Sequence, residues 1–226
     1  MIHKATDALK IFIGFDSRQP IAYHVLAHSI ITRASKPITI SPLRLNQLPI
    51  KRRGLTDFTY SRFLVPYLSG YKGKSIFIDS DFLCLADIWE LVESIKRPEP
   101  VVIVDNKLQF ERASMMVFQN NLCEFTLTPK KIDDEANKLY DFAWAASVGY
   151  VAKEWNHLVG YDQPNPNAKL IHFTQGIPCF PETADCEFAA EWMTEAQQMV
   201  STVSWSEIMG KSVHAKPVLA RQAAIA

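Results

Sequence analysis

The sequence predicts a single α/β domain built on a sheet that contains parallel strands. Three observations carry this. Residues 10 to 40 read as a strand–helix–strand unit. Further short apolar runs, rich in β-branched residues, alternate with helical patterns to the end of the chain. Several of these runs stop at polar residues, as strands do where an open sheet meets a ligand. The 226 residues, 48% hydrophobic and 21% charged, supply one domain with an ample core. The reading is one domain over residues 1–226, with a core of about residues 10–192 and a helical tail over 193–226.

Taken in order, Lys10–Phe15 is apolar on both faces and predicts a buried strand. Pro20 suits the first position of a helix. Ile21, Ala22, Val25, Leu26, Ser29 and Ile30 then keep helical spacing up to Ser35-Lys36-Pro37. Ile38-Thr39-Ile40 is the second strand. Leu43 to Leu55 reads as a loop, and its basic run Lys51-Arg52-Arg53 reads as a solvated turn. Asp57 is placed to cap a helix through Leu68, which Pro66 kinks or divides and Ser69-Gly70 ends. Ser75–Ile78 is a strand. Asp87-Ile88-Trp89-Glu90 has the form of a capping box, with Ile88, Leu91, Val92 and Ile95 as the buried stripe. Val101–Val104 and Ser114–Phe118 are strands. Thr128-Pro129 opens a helix through about Tyr140. Lys169–Phe173 is a late strand, and Cys186–Val200 carries Phe188, Trp192, Ala196 and Met199 at helical spacing.

The chemistry concentrates at Ser75-Ile76-Phe77-Ile78-Asp79-Ser80-Asp81. A buried strand that ends in two carboxylates is costly unless the charges have a partner. A divalent cation is the simplest one, and oxygen ligands at this spacing suit Mg²⁺ or Mn²⁺ holding a phosphate. Asp16, just past the first strand, and His172, in the late strand, lie at comparable places. Each also has a plainer reading: Asp16 as a helix cap, Arg62 as a surface helix residue, His172 as a hydrogen-bonded core imidazole. Trp144 and Trp155 are core aromatics or sugar platforms. Asn120 and Asn156 are candidate polar groups on an acceptor side.

Composition excludes some classes. Lys plus Arg equals Asp plus Glu at 24 each, so no global basic field recruits nucleic acid or an anionic membrane. Four cysteines without a Cys-x-x-Cys pair favour a reducing compartment. No apolar run is long enough to span a bilayer, and the N-terminus has no secretory h-region. The expected location is the cytoplasm. Gly14 stands alone after the first strand, which disfavours a nucleotidyltransferase phosphate loop. Two aspartates one residue apart do not provide the flanking acids of a glycosidase.

Five segments resemble bacterial glycosyltransferases of the family 8 type: Gly14–Tyr23, Tyr60–Tyr67, Phe77–Asp81, Glu154–Gly160 and Ile171–Thr174. The resemblance spans about residues 10–192 with the motifs in order. It implies a GT-A fold, a single Rossmann-like mixed sheet flanked by helices. It also implies transfer of a hexose from a nucleotide-diphosphate donor, UDP-linked, with retention at the anomeric carbon, to a carbohydrate or glycoconjugate acceptor. Carried onto this sequence, Asp79, Asp81 and His172 hold Mn²⁺ (or Mg²⁺). Phe15, Asp16 and Ser17 line the base and ribose. Arg62 approaches the sugar or phosphates, Ser80 sits between the carboxylates, and Gln175 and Gly176 bring backbone to the pyrophosphate. No catalytic base or nucleophile is assigned. Members of the family usually carry acids or amides before the Glu-Trp-Asn motif, facing the sugar. The matching stretch here is Trp144-Ala145-Ala146-Ser147. The chain from Val104 to Ser114 is short, and Thr174–Phe180 lacks a second Gly and a Trp. These departures leave an alternative: a nucleotide- and metal-binding protein on a degenerate transferase scaffold, without turnover.

Overall fold

The computed structural model describes residues 8–200 together with Val213, Lys216, Pro217 and Ala220, so most of the expected tail beyond Val200 lies outside the described residues. A six-stranded mixed sheet forms the centre, in the order β2-β1-β3-β6-β5-β7. Its strands are β1 (Leu9–Gly14), β2 (Ile38–Leu43), β3 (Lys74–Ile78), β5 (Val101–Val104), β6 (Met115–Gln119) and β7 (Val148–Val151). β1 runs parallel to β2 and β3, β6 is antiparallel to β3 and β5, and β7 is parallel to β5. A smaller sheet joins β4 (Phe82–Cys84), β9 (Leu170–His172) and β8 (His157–Leu158) in that order. The helices are α1 (Pro20–Arg33), α2 (Val65–Leu68), α3 (Ile88–Ser94), α4 (Pro129–Asp133) and α5 (Ala189–Val200).

The strands alternate sides as their period of two requires. Ile11, Ile13, Ile76, Ile78, Val102 and Val104 pack under α1 and α3. Phe12, Phe77, Val101, Ile103, Met116 and Phe118 pack on the other face with Phe63, Leu64, Val65 and Ile132. A third cluster unites Leu83, Ile171 and Phe173 of the small sheet with Trp192 and Ala196 of α5. Gly14 is required where β1 ends, because a Cβ there would lie 2.5 Å from the buried Phe58 ring.

Pro20 opens α1, and Asp87 caps α3 by accepting the Trp89 amide at 3.0 Å. Glu90 does not complete the expected capping box; its carboxylate pairs with Lys169. Asp57 is not a cap. The chain from Ser61 to Leu64 is a 3₁₀ turn that leads into α2, with Pro66 in its first turn. The helix expected from Thr128 to Tyr140 stops at Asp133. Thr128 caps its start, but Asp133 accepts the Lys51 and Arg52 amides, and the Arg52 guanidinium takes the carbonyls of Ile132, Asp134 and Asn137. Those carbonyls, orphaned where the helix ends, find a partner in a distant loop. Arg52 also covers the Tyr60 ring at 3.9 Å, so the basic run is only partly a solvated turn.

α5 is fastened to α1 by charge. Glu195, 2% exposed, binds His28 Nδ1 and lies 2.8 Å from Arg33 Nη1. Glu195→Ala would leave the Arg33 guanidinium and the His28 ring facing an emptied site. It is expected to cost about 3 kcal/mol in urea unfolding. A loss under about 0.5 kcal/mol, the size of a surface substitution, would refute a buried role.

Candidate metal and nucleotide site

The site forms at one edge of the central sheet. The parallel pairing of β1 and β3 ends at Ile13 and Ile78, so the chain from Gly14 and the chain from Asp79 leave the sheet side by side. Phe15, Asp16 and Ser17 therefore emerge at the edge where Asp79 sits. Antiparallel β6 begins at that edge: the Asp79 amide donates to the Ser114 carbonyl at 2.9 Å. The turn through Ser80 leads into β4, and Phe82 pairs with His172 of β9. The two rings stack at 4.1 Å, which fixes the imidazole plane. Asp79, Asp81 and His172 thus converge from two sheets, with one ligand atom from each lying within 4.8 Å of the others.

Charge balance here is incomplete. Asp79 is 5% exposed, and its Oδ1 lies 3.0 Å from Arg62 Nη2, an ion pair without the alignment of a hydrogen bond. Asp81 Oδ1 is buried and accepts no hydrogen bond, although His172 Nε2 stands 3.5 Å away. Burial pushes the Asp79 carboxyl up to about 7; Arg62 pulls the other way, and Asp81 adds to the rise. Burial opposes protonation of His172, but Asp81, with Glu111 and Asp79, outweighs it and holds the imidazole above its ordinary range. Two buried carboxylate oxygens without a hydrogen bond and an imidazole nitrogen form a donor set that fits a small divalent cation.

Arg62 is the main cation of the site and not a surface helix residue. It is 1% exposed. Its Nε donates to the Phe58 carbonyl at 3.1 Å and its Nη1 to that of Ala113 at 2.8 Å, while Phe77 lies beneath the guanidinium at 4.9 Å. Asp16 is engaged in a fork with the Arg18 guanidinium and accepts the Arg18 amide at 2.9 Å. That side-chain bond holds its carboxyl below the usual range despite partial burial. Phe15 packs edge-on against Tyr23 and carries Arg44 over its ring at 5.2 Å. Ser80 is buried and Ser17 is exposed. Gly176 adopts φ +125°, a conformation that favours glycine, and its amide closes a turn to the Phe173 carbonyl. The exposed Gln175 folds its side chain over Gly160.

Asn156 is fully buried and works on His172. Its Nδ2 donates to the Glu111 carbonyl and to Ser114 Oγ, both at 3.0 Å, so its Oδ1 faces His172 Nδ1 at 3.1 Å. The imidazole then carries its proton on Nδ1 and presents Nε2 to Asp81, the orientation a metal ligand needs. Asn156→Leu is expected to weaken Mn²⁺ binding by about 10- to 100-fold, the usual effect of losing such a partner. Titration of Mn²⁺ against an intrinsic fluorescence signal would measure it, and unchanged affinity would refute the role. Asn120 lies at the opposite end of β3, bonded to Ser75 Oγ and the Lys72 carbonyl. Trp144 and Trp155 pack into the two core clusters.

Sequence reasoning missed Glu111. It sits half-buried in the 3₁₀ turn Gln109–Ala113, with Oε2 3.7 Å from His172 Nδ1. Burial raises its carboxyl pKa, against the pull of His172. No pattern marks it, because it reaches the site through the β5–β6 connection. The stretch Ala145-Ala146-Ser147 proves to be elsewhere. It leads into the start of β7, which runs parallel to β5, and Ser147 bonds Glu99 just ahead of β5. β5 and β7 end at the edge of the triad, so their starts lie a strand length away, roughly 13 Å.

A mixed sheet with a nucleotide-side first strand and an Asp-x-Asp at a central strand end defines the GT-A fold of glycosyltransferases. Solved structures agree. The chain aligns with WbbM, a bifunctional glycosyltransferase, at TM-score 0.67 and 15% identity, over 97% of this chain and 53% of that one. It aligns with the glycosyltransferase GlyE of Streptococcus pneumoniae at 0.66 and 14%, over 95% and 64%. With the galactosyltransferase LgtC the values are 0.58 and 11%, over 88% and 99%. The chain thus spans about half to two thirds of the first two. By sequence it is 33% identical over 225 residues to Protein CDI of Arabidopsis thaliana, covering 84% of this chain and 86% of that protein. It belongs to the family of Protein CDI. No family model matches the sequence. The sequence relative is a plant protein, and the solved structures show the GT-A glycosyltransferase fold without showing family 8 or a bacterial origin.

Proposed function

We propose that the protein is a metal-dependent glycosyltransferase that moves a hexose from a UDP-linked donor to a carbohydrate or glycoconjugate acceptor, with retention at the anomeric carbon. The observation that carries this is the pair of buried carboxylate oxygens on Asp79 and Asp81, neither with a hydrogen bond, beside His172 at the edge of a GT-A sheet. These three residues would hold Mn²⁺, which the imidazole favours over Mg²⁺. When bound, the cation neutralises the charge that develops on the departing diphosphate.

The chain's own residues set the stage. Arg62 holds Asp79 in place and adds a positive charge beneath the phosphates. Asn156 and Phe82 fix the His172 ring. Phe15, Asp16 and Ser17 line the base and ribose. Ser80 lies between the ligands, and Gln175 and Gly176 offer backbone to the pyrophosphate. Residues 1–226 would work as one catalytic unit. A cytoplasmic location is supported by four free cysteines, with the thiols of buried Cys84 and Cys123 pushed by burial to about 12 and so unreactive. Among the described residues no helix is long and apolar enough to cross a membrane.

The alternative is a scaffold that binds nucleotide and metal without turnover; Ala145-Ala146-Ser147, which suggested it, lies at the far edge of the sheet. A thermal-shift series of nucleoside diphosphates with and without Mn²⁺, followed by hydrolysis assays on a panel of UDP-sugars, separates the two. Mn²⁺-dependent stabilisation with release of UDP supports transfer. Stabilisation without release from any donor would leave only binding.

A further inference from the structure

A second recess of about 430 Å³ opens beside the triad and shares none of its residues. Its walls come from the segments that build the triad. Lys107 and Leu108 precede the turn that carries Glu111, and Lys153 precedes Asn156. Leu158 of β8 pairs in register with His172, one strand spacing away. The recess is thus an immediate neighbour of the metal edge, on the side away from Phe15–Ser17.

Its chemistry is that of a carbohydrate site with a positive rim. Tyr161 is 56% exposed, an aromatic face left in solvent, as sugar rings need for stacking. Gln163 adds a carboxamide. Lys107 and Lys153 come from connections 46 positions apart, and neither has an ion-pair or hydrogen-bond partner among the described residues. The acid in the wall, Asp162, is turned inward: its Oδ2 accepts the Leu158 amide at 2.9 Å. His157 is satisfied by Glu187 Oε2 at 2.9 Å. Two lysine ammonium groups without an ion-pair partner among the described residues, against the single carboxylate of Asp162, leave the lining net positive.

We infer that this recess binds an anionic sugar, one bearing a carboxylate or a phosphate, and that it is the acceptor site. The word acceptor rests on the transferase reading; the binding preference does not. Lys107 and Lys153 would clasp the anionic group while Tyr161 stacks on the ring, which places a free hydroxyl toward His172 and the donor.

The full chain would be titrated by saturation-transfer NMR with p-nitrophenyl β-glucuronide and glucose 6-phosphate, each against its neutral counterpart, the β-glucoside and glucose. At least one anionic probe is expected to bind about tenfold or more tighter than its neutral partner. The arm that wins tells carboxylate from phosphate. Lys107→Ala/Lys153→Ala, two exposed positions, should erase the difference, and Lys107→Arg/Lys153→Arg should retain it. Tyr161→Ala should weaken both members of each pair. Equal binding of charged and neutral probes, no binding of any, or a preference that survives the double alanine variant would overturn the inference. Asp81→Asn should remove Mn²⁺–UDP stabilisation yet leave probe binding intact. A wild-type protein that prefers anionic sugars but never responds to UDP would therefore count against the donor reading alone.

Discussion

Asp81→Asn is expected to abolish the Mn²⁺-dependent stabilisation by UDP and to lower donor turnover by about a thousandfold or more, since a charge that meets the leaving group acts in a sheltered site. The substitution keeps the shape and removes the charge. Asp81 Oδ1 is buried and accepts no hydrogen bond, so an amide in its place can turn its NH₂ toward the Asp79 carboxylate, whose ligand oxygen lies within 4.8 Å. The apo protein should then be as stable as wild type, or more so, because like charges at the edge are relieved. That pairing of outcomes, gained or equal stability with lost response to Mn²⁺, separates a functional acid from a structural one. Calorimetric titration of Mn²⁺ and a melting curve on the same sample would measure both. Wild-type affinity for Mn²⁺ in Asp81→Asn would sink the metal assignment.

Arg62→Ala should show the opposite pattern, a loss of stability of about 3 to 5 kcal/mol, the usual cost of removing one member of a buried ion pair. Two acceptors would be stranded, the carbonyl of Ala113 and the carboxylate of Asp79, while the Phe58 carbonyl keeps the backbone amide of residue 62. The large buried volume between Phe77 and Phe58 would empty as well. Asp79→Asn on top of Arg62→Ala should recover part of the loss, because the unpaired buried charge is then gone. Urea unfolding of the two single variants and the double variant would give the coupling. Strict additivity would mean that Arg62 and Asp79 do not act as a pair, and that the guanidinium serves packing alone.

These contrasts bear on how the site is built. Asp79 is held in place at an electrostatic cost, a condition expected where a ligand completes the structure. Arg62 offsets only part of that cost, and it also pulls on the Glu111 carboxyl. Glu111, with no pattern of its own, adds a third carboxylate on the Nδ1 side of His172. The small sheet meets at this imidazole: Phe82 and Asp81 approach it from one strand neighbour, Leu158 from the other.

The sequence by itself determined the α/β class, the strands β1, β2, β3, β5, β6 and β9, and the place of Asp79 and Asp81 at a strand end, but not β4, β7 or β8. Ser75–Ile78 and Val101–Val104 are buried on both faces and can only be interior strands, and a strand end is where carboxylates can reach a ligand without unfolding the sheet. Pro20 and Asp87 marked their helices because capping is local chemistry. Order and direction were beyond it. β6 runs against β3, which brings Ser114 and the Glu111 turn beside Asp79, and no local pattern encodes that pairing. The parallel course of β5 and β7 sends Ala145–Ser147 to the far edge, and it brings Lys107 and Lys153 together at the near one. Arg52 ended α4 from a loop about 80 positions away in sequence. A single residue's neighbours along the chain fix its conformation, but its charge partners are chosen by strand register, and register is decided only when the whole sheet buries its two faces at once.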